Sequence, residues 1–240
     1  MLRSCEVWKL GRVPYQQAWE LQNRLADERS NLGAAGQDRL LLLQHPHTYT
    51  LGSSAQDEHL LMPPEERERL GVEVFRSDRG GDITYHGPGQ LVGYPILQLG
   101  RDSLRTDVVG YVRNLEQVII DTLADYGVTG KIIKGMPGVW VNTAQGEQKV
   151  AALGVRVNVR AVTKHGFALN LNTDLSYFEG IIPCGIRDKG VTSLAVLLGA
   201  PVDEAAVTER LIAHFGAVFD CEMVEAEAAA LNAAPKLFQK

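Results

Sequence analysis

An α+β fold is what this sequence predicts, and three observations carry the prediction. Apolar residues recur at spacings of three and four over long stretches, the mark of amphipathic helices. Other stretches alternate or run apolar over a few residues and are joined by short turns, which makes them antiparallel neighbours. Strands and helices do not alternate regularly, so a doubly wound parallel sheet is not indicated. The expected architecture is a mixed, largely antiparallel sheet flanked by helices, forming one domain over residues 1–220. Residues 221–240, rich in alanine and glutamate, read as a loosely held tail.

The elements follow in chain order. "CEVWKL" (5–10) reads as a first strand, and Tyr15, Ala18, Trp19, Gln22 and Leu25 space a helix with Pro14 near its first turn. "DRLLLLQHP" (38–46) is a buried strand. "MPPEERERLG" (62–71) is a short helix opened by prolines and closed by Gly71, and "VEVFRS" after it alternates as a strand. Glycine density then rises in "DRGGDITYHGPGQLVGYPI" (78–96), where residues 79–90 read as a loop. Between 105 and 127, Val108, Val112, Leu115, Ile119, Leu123 and Tyr126 form one stripe stopped by Gly127, a helix to be laid on the sheet. "GVWVN", the turn "TAQGEQ" and "KVAALGVRVNVR" make a hairpin, to which "KHGFALNLN" adds a strand. Helices close the pattern at "TSLAVLLG" (192–199) and "VDEAAVTERLIAHFGAVF" (202–219), the second with a stripe of Val207, Leu211, Phe215 and Val218.

Composition bounds the function. With 45% hydrophobic and 22% charged residues in 240, the chain is an ordinary globular protein without repeats or a linker. A formal net charge of −5 argues against a nucleic-acid binder. No secretory signal and no membrane-length apolar run are read, so the expected compartment is the cytoplasm and no membrane is involved. Cys5, Cys184 and Cys221 are few and far apart, which fits neither a disulfide framework nor a zinc site. No metal and no cofactor are expected. Cys184 is then either a buried filler or a reactive thiol.

Four glycines between Arg79 and Gln90 exceed the needs of one turn, and glycine lets main-chain N–H groups approach a ligand, so "RGGDITYHGPGQ" reads as a cradle. It fits neither the Walker phosphate loop nor the dinucleotide fingerprint, and no nucleotide is indicated there. Lys149 opens an apolar strand; such a lysine is ordinarily a solvated edge residue, whereas desolvation beside a thiol would let it exchange protons near neutrality. Pro183 and Gly185 flank Cys184 and would let its side chain project from an irregular segment. His45 and His47 lack a third ligand for a metal. His86 and His165 each precede glycine and could orient a carbonyl, so a Cys-His thiol enzyme stands beside a Cys-Lys one.

Taken together, "RGGDITYHGPGQLVGYPI", "GVWVN…KVAALGVRV", "HGFALNLN" and "IIPCGI…GVTSL" resemble the lipoyl(octanoyl) transferases, in the same order over residues 38–200. The resemblance implies the biotin and lipoate protein ligase fold and a cysteine/lysine dyad. It puts the nucleophile on Cys184 and the lysine on Lys149. The acyl-binding segments fall on Arg79, Gly80, Gly81, Asp82, Ile83, Thr84, Tyr85 and His86, on Ala152, Leu153 and Gly154, and on Gly166, Phe167 and Ala168. Asp82 is a mild departure, since glutamine is common there. The implied donor is octanoyl-acyl carrier protein. The implied acceptors are lipoyl domains of 2-oxoacid dehydrogenase complexes and the glycine cleavage H protein.

Such chemistry needs the pair: a free thiol is only a few per cent thiolate at pH 7, and an ammonium about 4 Å away would stabilise the thiolate by up to ~4 kcal/mol at an effective dielectric of 20. Arg156, Arg160, Lys164, Arg187 and Lys189 are candidate docking charges for an acidic carrier protein. The alternatives on the same residues are an ATP-dependent lipoate ligase, a non-catalytic acyl- or lipoyl-domain binding module, and a Cys-His hydrolase.

Overall fold

In the computed structural model the structure describes residues 3–100, 107–183 and 189–226. The chain opens with strand β1 (Arg3–Arg12) and helix α1 (Tyr15–Leu32), entered through Pro14. Then come β2 (Asp38–Gln44), β3 (Thr48–Leu51), α2 (Pro64–Leu70), β4 (Glu73–Arg76), β5 (Ile83–His86) and β6 (Gln90–Ile96). After α3 (Val108–Ala124) follow β7 (Lys131–Ile133), β8 (Met136–Thr143), β9 (Gly146–Val157) and β10 (Thr163–Asn170). The chain ends in β11 (Gly190–Val191), α4 (Leu194–Leu198), α5 (Glu204–Phe219) and β12 (Cys221–Glu225).

The main sheet runs β12-β1-β2-β6-β10-β9-β8-β7, with β11 added on β9. It is mixed as expected: β1 pairs in parallel with β2 and β12, and β11 with β9, while the other pairs are antiparallel. Side-chain alternation along the strands buries both faces. On one face α3 and α5 cover a core that includes Leu40, Leu115, Ile119, Leu169 and Phe215. On the other, α1 sets Ala18, Leu21 and Leu25 against Leu41, Val92 and Tyr94. Helices α3 and α5 start where a side chain satisfies their first amides: Asp107 accepts from the N–H of Val109, and Asp203 from those of Ala205 and Ala206.

Two expectations are corrected. Residues 79–90 are not one loop, because Ile83–His86 form β5, which with β3 and β4 makes a separate three-stranded sheet in the order β4-β3-β5. The glycines flank this strand, while its β-branched and aromatic residues pair with Thr48–Leu51. Nor does the domain end at residue 220: Cys221–Glu225 lies parallel to β1, with Cys5 opposite Met223. Its sequence, "CEMVE", has too few apolar residues to read as a strand, and an edge position needs few. The rest of the expected tail, residues 227–240, lies outside the described residues.

Candidate active site

One cavity collects most of the residues that the resemblance assigns to acyl binding. Its floor is sheet: Lys149 and Ala152–Gly154 from β9, Gly166–Ala168 from β10. Its roof is Arg79, Gly81, Asp82, Ile83, Thr84 and His86. At about 3.4 Å per residue, the five steps from Lys149 to Gly154 give a floor about 17 Å long.

The roof is fastened to the floor through backbone. The N–H of Gly80 donates to the carbonyl of Val155 at 3.0 Å, and a Cβ on Gly154 would stand only 2.8 Å from the Gly80 oxygen. Glycine at 154 is therefore what lets the roof come down. Arg79, itself buried, holds the roof from behind: Nε and Nη2 donate to Thr50 Oγ1 at 3.1 and 2.9 Å, and Nη1 donates to the Gly80 carbonyl at 3.0 Å. Asp82 has a partner of its own, His59 Nδ1, at 2.5 Å. That contact gives the departure from glutamine a local use.

Two roof residues do not line the cavity. Gly80 contributes backbone only, to the contacts just described. Tyr85 sits one step from Thr84 and from His86 on β5, so alternation turns it the other way. Its ring stacks on Tyr177 with centroids 5.1 Å apart and its hydroxyl meets His47 Nδ1 at 2.8 Å. His47 stacks on Tyr177 as well, at 4.2 Å, so it is a packing residue of the small sheet. Conversely Tyr15, Tyr94 and His165 line the cavity from outside the segments assigned to acyl binding. Tyr15 read only as an apolar-periodic position, and nothing local says that α1 lies across β6 at this point.

Lys149 is buried, with 7% of its surface exposed, so it is not a solvated edge residue. It stands opposite Trp140 of β8, and its Nζ lies 4.7 Å from the indole centroid. The stem runs along Gly138, where a Cβ would meet Lys149 Cε at 3.2 Å. Gly138 has φ 129 and donates its N–H to Glu116 Oε1 at 3.0 Å. Glu116 is fully buried on α3, and its Oε2 accepts from Arg113 at 2.6 Å.

Cys184 lies outside the described residues. The chain is described up to Pro183 and again from Lys189. Before it, Ile182 donates its N–H to the carbonyl of His59 at 2.8 Å. After it, Gly190 and Val191 run parallel to Gln148 and Lys149, and the N–H of Thr192 donates to the Lys149 carbonyl at 3.0 Å. His165 is opposite Val155, six steps along β9 from Lys149 and so about 20 Å from it in backbone.

The histidines at the far end are held in buried contacts. His45 Nδ1 sits 2.7 Å from the Val13 carbonyl, which can only accept, so Nδ1 carries the proton; Nε2 then accepts from the Tyr94 hydroxyl at 2.8 Å. Burial pushes this imidazole down to about 4. His165 Nε2 meets Asp78 Oδ1 at 2.8 Å, and Asp78 also receives Lys164 Nζ at 2.9 Å and Trp19 Nε1 at 3.2 Å. The bonds from His165 and Lys164 hold that carboxyl well below the usual range, while burial lowers His165.

Stability should therefore fall in acid. The unfolded chain binds a proton on His45 near pH 6.5 and the folded chain only near pH 4, so the contribution is complete above pH 6.5 and lost as pH falls towards 4. Its size is about 3 kcal/mol. Urea midpoints at pH 7, 5.5 and 4 should drop in that order, and His45→Gln should flatten the drop. An unchanged midpoint across the range would contradict the assignment of a neutral His45.

Of the candidate docking charges, Lys164 is tied to Asp78, Lys189 pairs with Glu147, and Arg160 donates to Asn31 at 2.6 Å. These three are engaged within the fold, and Arg187 lies outside the described residues. Among the described residues no helix is long and apolar enough to cross a membrane, and no cluster of three or more His, Cys, Asp or Glu could hold a metal.

Comparison with known proteins places this chain in a family. The family model of the lipoyl protein ligase A/B catalytic domain matches residues 14–216. An octanoyltransferase of Chloroflexus aggregans is 51% identical over 94% of this chain and 99% of its own. One of Solibacter usitatus is 53% identical over 93% and 96%. Among solved structures, a bi-partite lipoate protein ligase from Thermoplasma acidophilum superposes with a TM-score of 0.70 at 16% identity, covering 99% of this chain and 93% of that one. A lipoate-protein ligase A bound with ATP superposes with 0.68 at 15% identity, covering 100% and 95%. These structural likenesses establish the fold, and the sequence relatives are close enough to establish the family. The chain belongs to the lipoyl protein ligase A/B catalytic-domain family, among its octanoyltransferases.

Proposed function

We propose that this protein is an acyltransferase that moves an octanoyl group from octanoyl-acyl carrier protein to a lysine ε-amine on lipoyl domains, through a thioester on Cys184. The acceptors are lipoyl domains of 2-oxoacid dehydrogenase complexes and the glycine cleavage H protein. The observation that carries this reading is a buried lysine, Lys149, at one end of a sheet-floored cavity roofed by the glycine-rich segment. An extended eight-carbon chain, about 10 Å long with C–C bonds near 1.5 Å, fits within that floor. Each buried CH₂ contributes about 0.8 kcal/mol, so one carbon changes binding by roughly fourfold.

The protons balance through Lys149. The Cys184 thiolate attacks the thioester carbonyl, and the pantetheine sulfur leaves as a thiol, taking its proton from the Lys149 ammonium. The acceptor ε-amine, having given its ammonium proton to solvent, attacks the acyl-enzyme with its lone pair, and the neutral amine of Lys149 takes the proton that this nitrogen sheds as the amide forms. The amide forms and the Cys184 thiolate leaves, restoring the starting pair.

The test uses the purified protein, octanoyl-acyl carrier protein and a lipoyl domain, without ATP. Octanoyl amide should form on the domain's lysine. A strict need for ATP would make the protein a ligase, free octanoate without amide a hydrolase, and no acyl chemistry a binding module.

A further inference from the structure

Among the described residues, strand β11 is the first regular element beyond position 184, and it is only two residues long. Two ladder positions hold a chain weakly. What secures this strand is a set of side chains around one indole. Trp140 is 1% exposed, and its Nε1 donates to the Met136 carbonyl at 3.1 Å, so the ring is fixed within β8. The ammonium of Lys149 lies 4.7 Å from the ring centroid, and that of Lys189 lies 5.8 Å from the same centroid. The two cations are thus within about 10 Å of each other, a separation at which charges are only partly screened in water. The two like charges repel each other. Glu147, on β9 two residues before Lys149, compensates the repulsion: one carboxylate oxygen meets Lys189 and the other meets Lys131 Nζ at 2.5 Å. Backbone contacts then complete the attachment, with Thr192 bonded to Lys149 and Asn170 Nδ2 donating to the Thr192 carbonyl at 3.0 Å.

We propose that Trp140, Lys189 and Glu147 are positioning residues for the transfer reaction: the indole seats both ammonium groups and Glu147 anchors the second, so the chain from Lys189 onward is pinned beside Lys149. This rests on the thioester reading of the same site. None of the three touches the acyl chain, since none lines the cavity. Their loss should slow acyl transfer to the enzyme and leave acyl binding alone.

Lys189 is partly exposed, with 19% of its side chain accessible, so its substitution should leave folding intact where Trp140→Leu would threaten it. The experiment measures octanoylation of the enzyme by octanoyl-pantetheine in single turnover, read by mass spectrometry, for wild type, Lys189→Met, Lys189→Arg and Glu147→Gln. A buried cation–π seat and its counter-charge correspond to about a tenfold loss of rate in Lys189→Met and a several-fold loss in Glu147→Gln. The half-saturating donor concentration should stay within about twofold. Lys189→Arg, which keeps charge and ring contact, should recover most of the rate. A Lys189→Met protein acylating at the wild-type rate overturns the positioning role alone, as does a loss confined to donor affinity or one that Lys189→Arg fails to recover. A wild type that forms no adduct on Cys184 overturns both this role and the thioester mechanism.

Discussion

Lys149→Met is expected to slow acylation of the enzyme at pH 7 by about 10²–10³-fold, the range general acid–base and charge effects commonly supply. Methionine keeps the length and apolar stem of the side chain, which packs along Gly138 and beneath the cavity roof, so the fold should tolerate it. What disappears is the ammonium. Without it the thiol returns towards its ordinary pKa near 8.5, and only a few per cent is thiolate at neutrality. The deficit should therefore shrink as pH rises from 7 to 9, because the thiol then ionises unaided, while the wild-type rate changes less. Rapid-quench mass spectrometry on both proteins across that range checks the expectation. Equal rates at pH 7 would remove Lys149 from the chemistry.

Gly154→Val should be nearly as severe by a different route. The position lies on β9 with the Gly80 carbonyl 2.8 Å from where a Cβ would stand and Arg79 Cδ at 3.3 Å. A valine must lift the roof or fill the end of the cavity, and either excludes the acyl chain. Overpacking of this kind costs about 1–3 kcal/mol of stability, which a domain of this size survives. Acylation at low donor concentration should fall by 10² or more, with most of the loss in donor affinity. That distinguishes it from Lys149→Met, whose loss lies in the rate at saturation. A Gly154→Val protein that acylates normally would mean that the octanoyl chain lies elsewhere.

The sequence made much of this legible, for reasons that can be traced to particular residues. Periodicity located α1, α3 and α5, because each buries one stripe over four or more turns and no partner needs to be known. The hairpin of β8 and β9 was legible because its turn is short and its strands alternate. Of the small sheet only β4 was legible, in "VEVFRS": β3 has four residues, and β5 sits within a run whose glycines outweigh its own residues. Edge strands β11 and β12 escaped for the same reason, since two or five residues carry no period.

The site divided along similar lines. The glycine-rich roof, the Ala152–Gly154 and Gly166–Ala168 floor, and Lys149 were legible as motifs, and the fold brings them to one cavity. Which way each side chain faces was less legible. Tyr85 belongs to the roof segment yet points into the small sheet, because a strand alternates where a loop need not. Tyr15, Tyr94 and His165 came to the cavity through the packing of α1 on β6 and β10, a contact between distant segments that no local spacing encodes. The seat of Lys149 on Trp140 is likewise a cross-strand pairing. Only the register reveals it.

The central claim is that Cys184 carries the acyl group. Incubating the wild-type protein with octanoyl-acyl carrier protein and no acceptor, digesting it, and locating the added octanoyl group by mass spectrometry tests this most directly. The account predicts the group on the peptide containing Cys184, labile to hydroxylamine as a thioester is, and absent from a Cys184→Ser protein. Octanoyl found on another residue, or a Cys184→Ser protein that still delivers octanoate to a lipoyl domain at the wild-type rate, would contradict it.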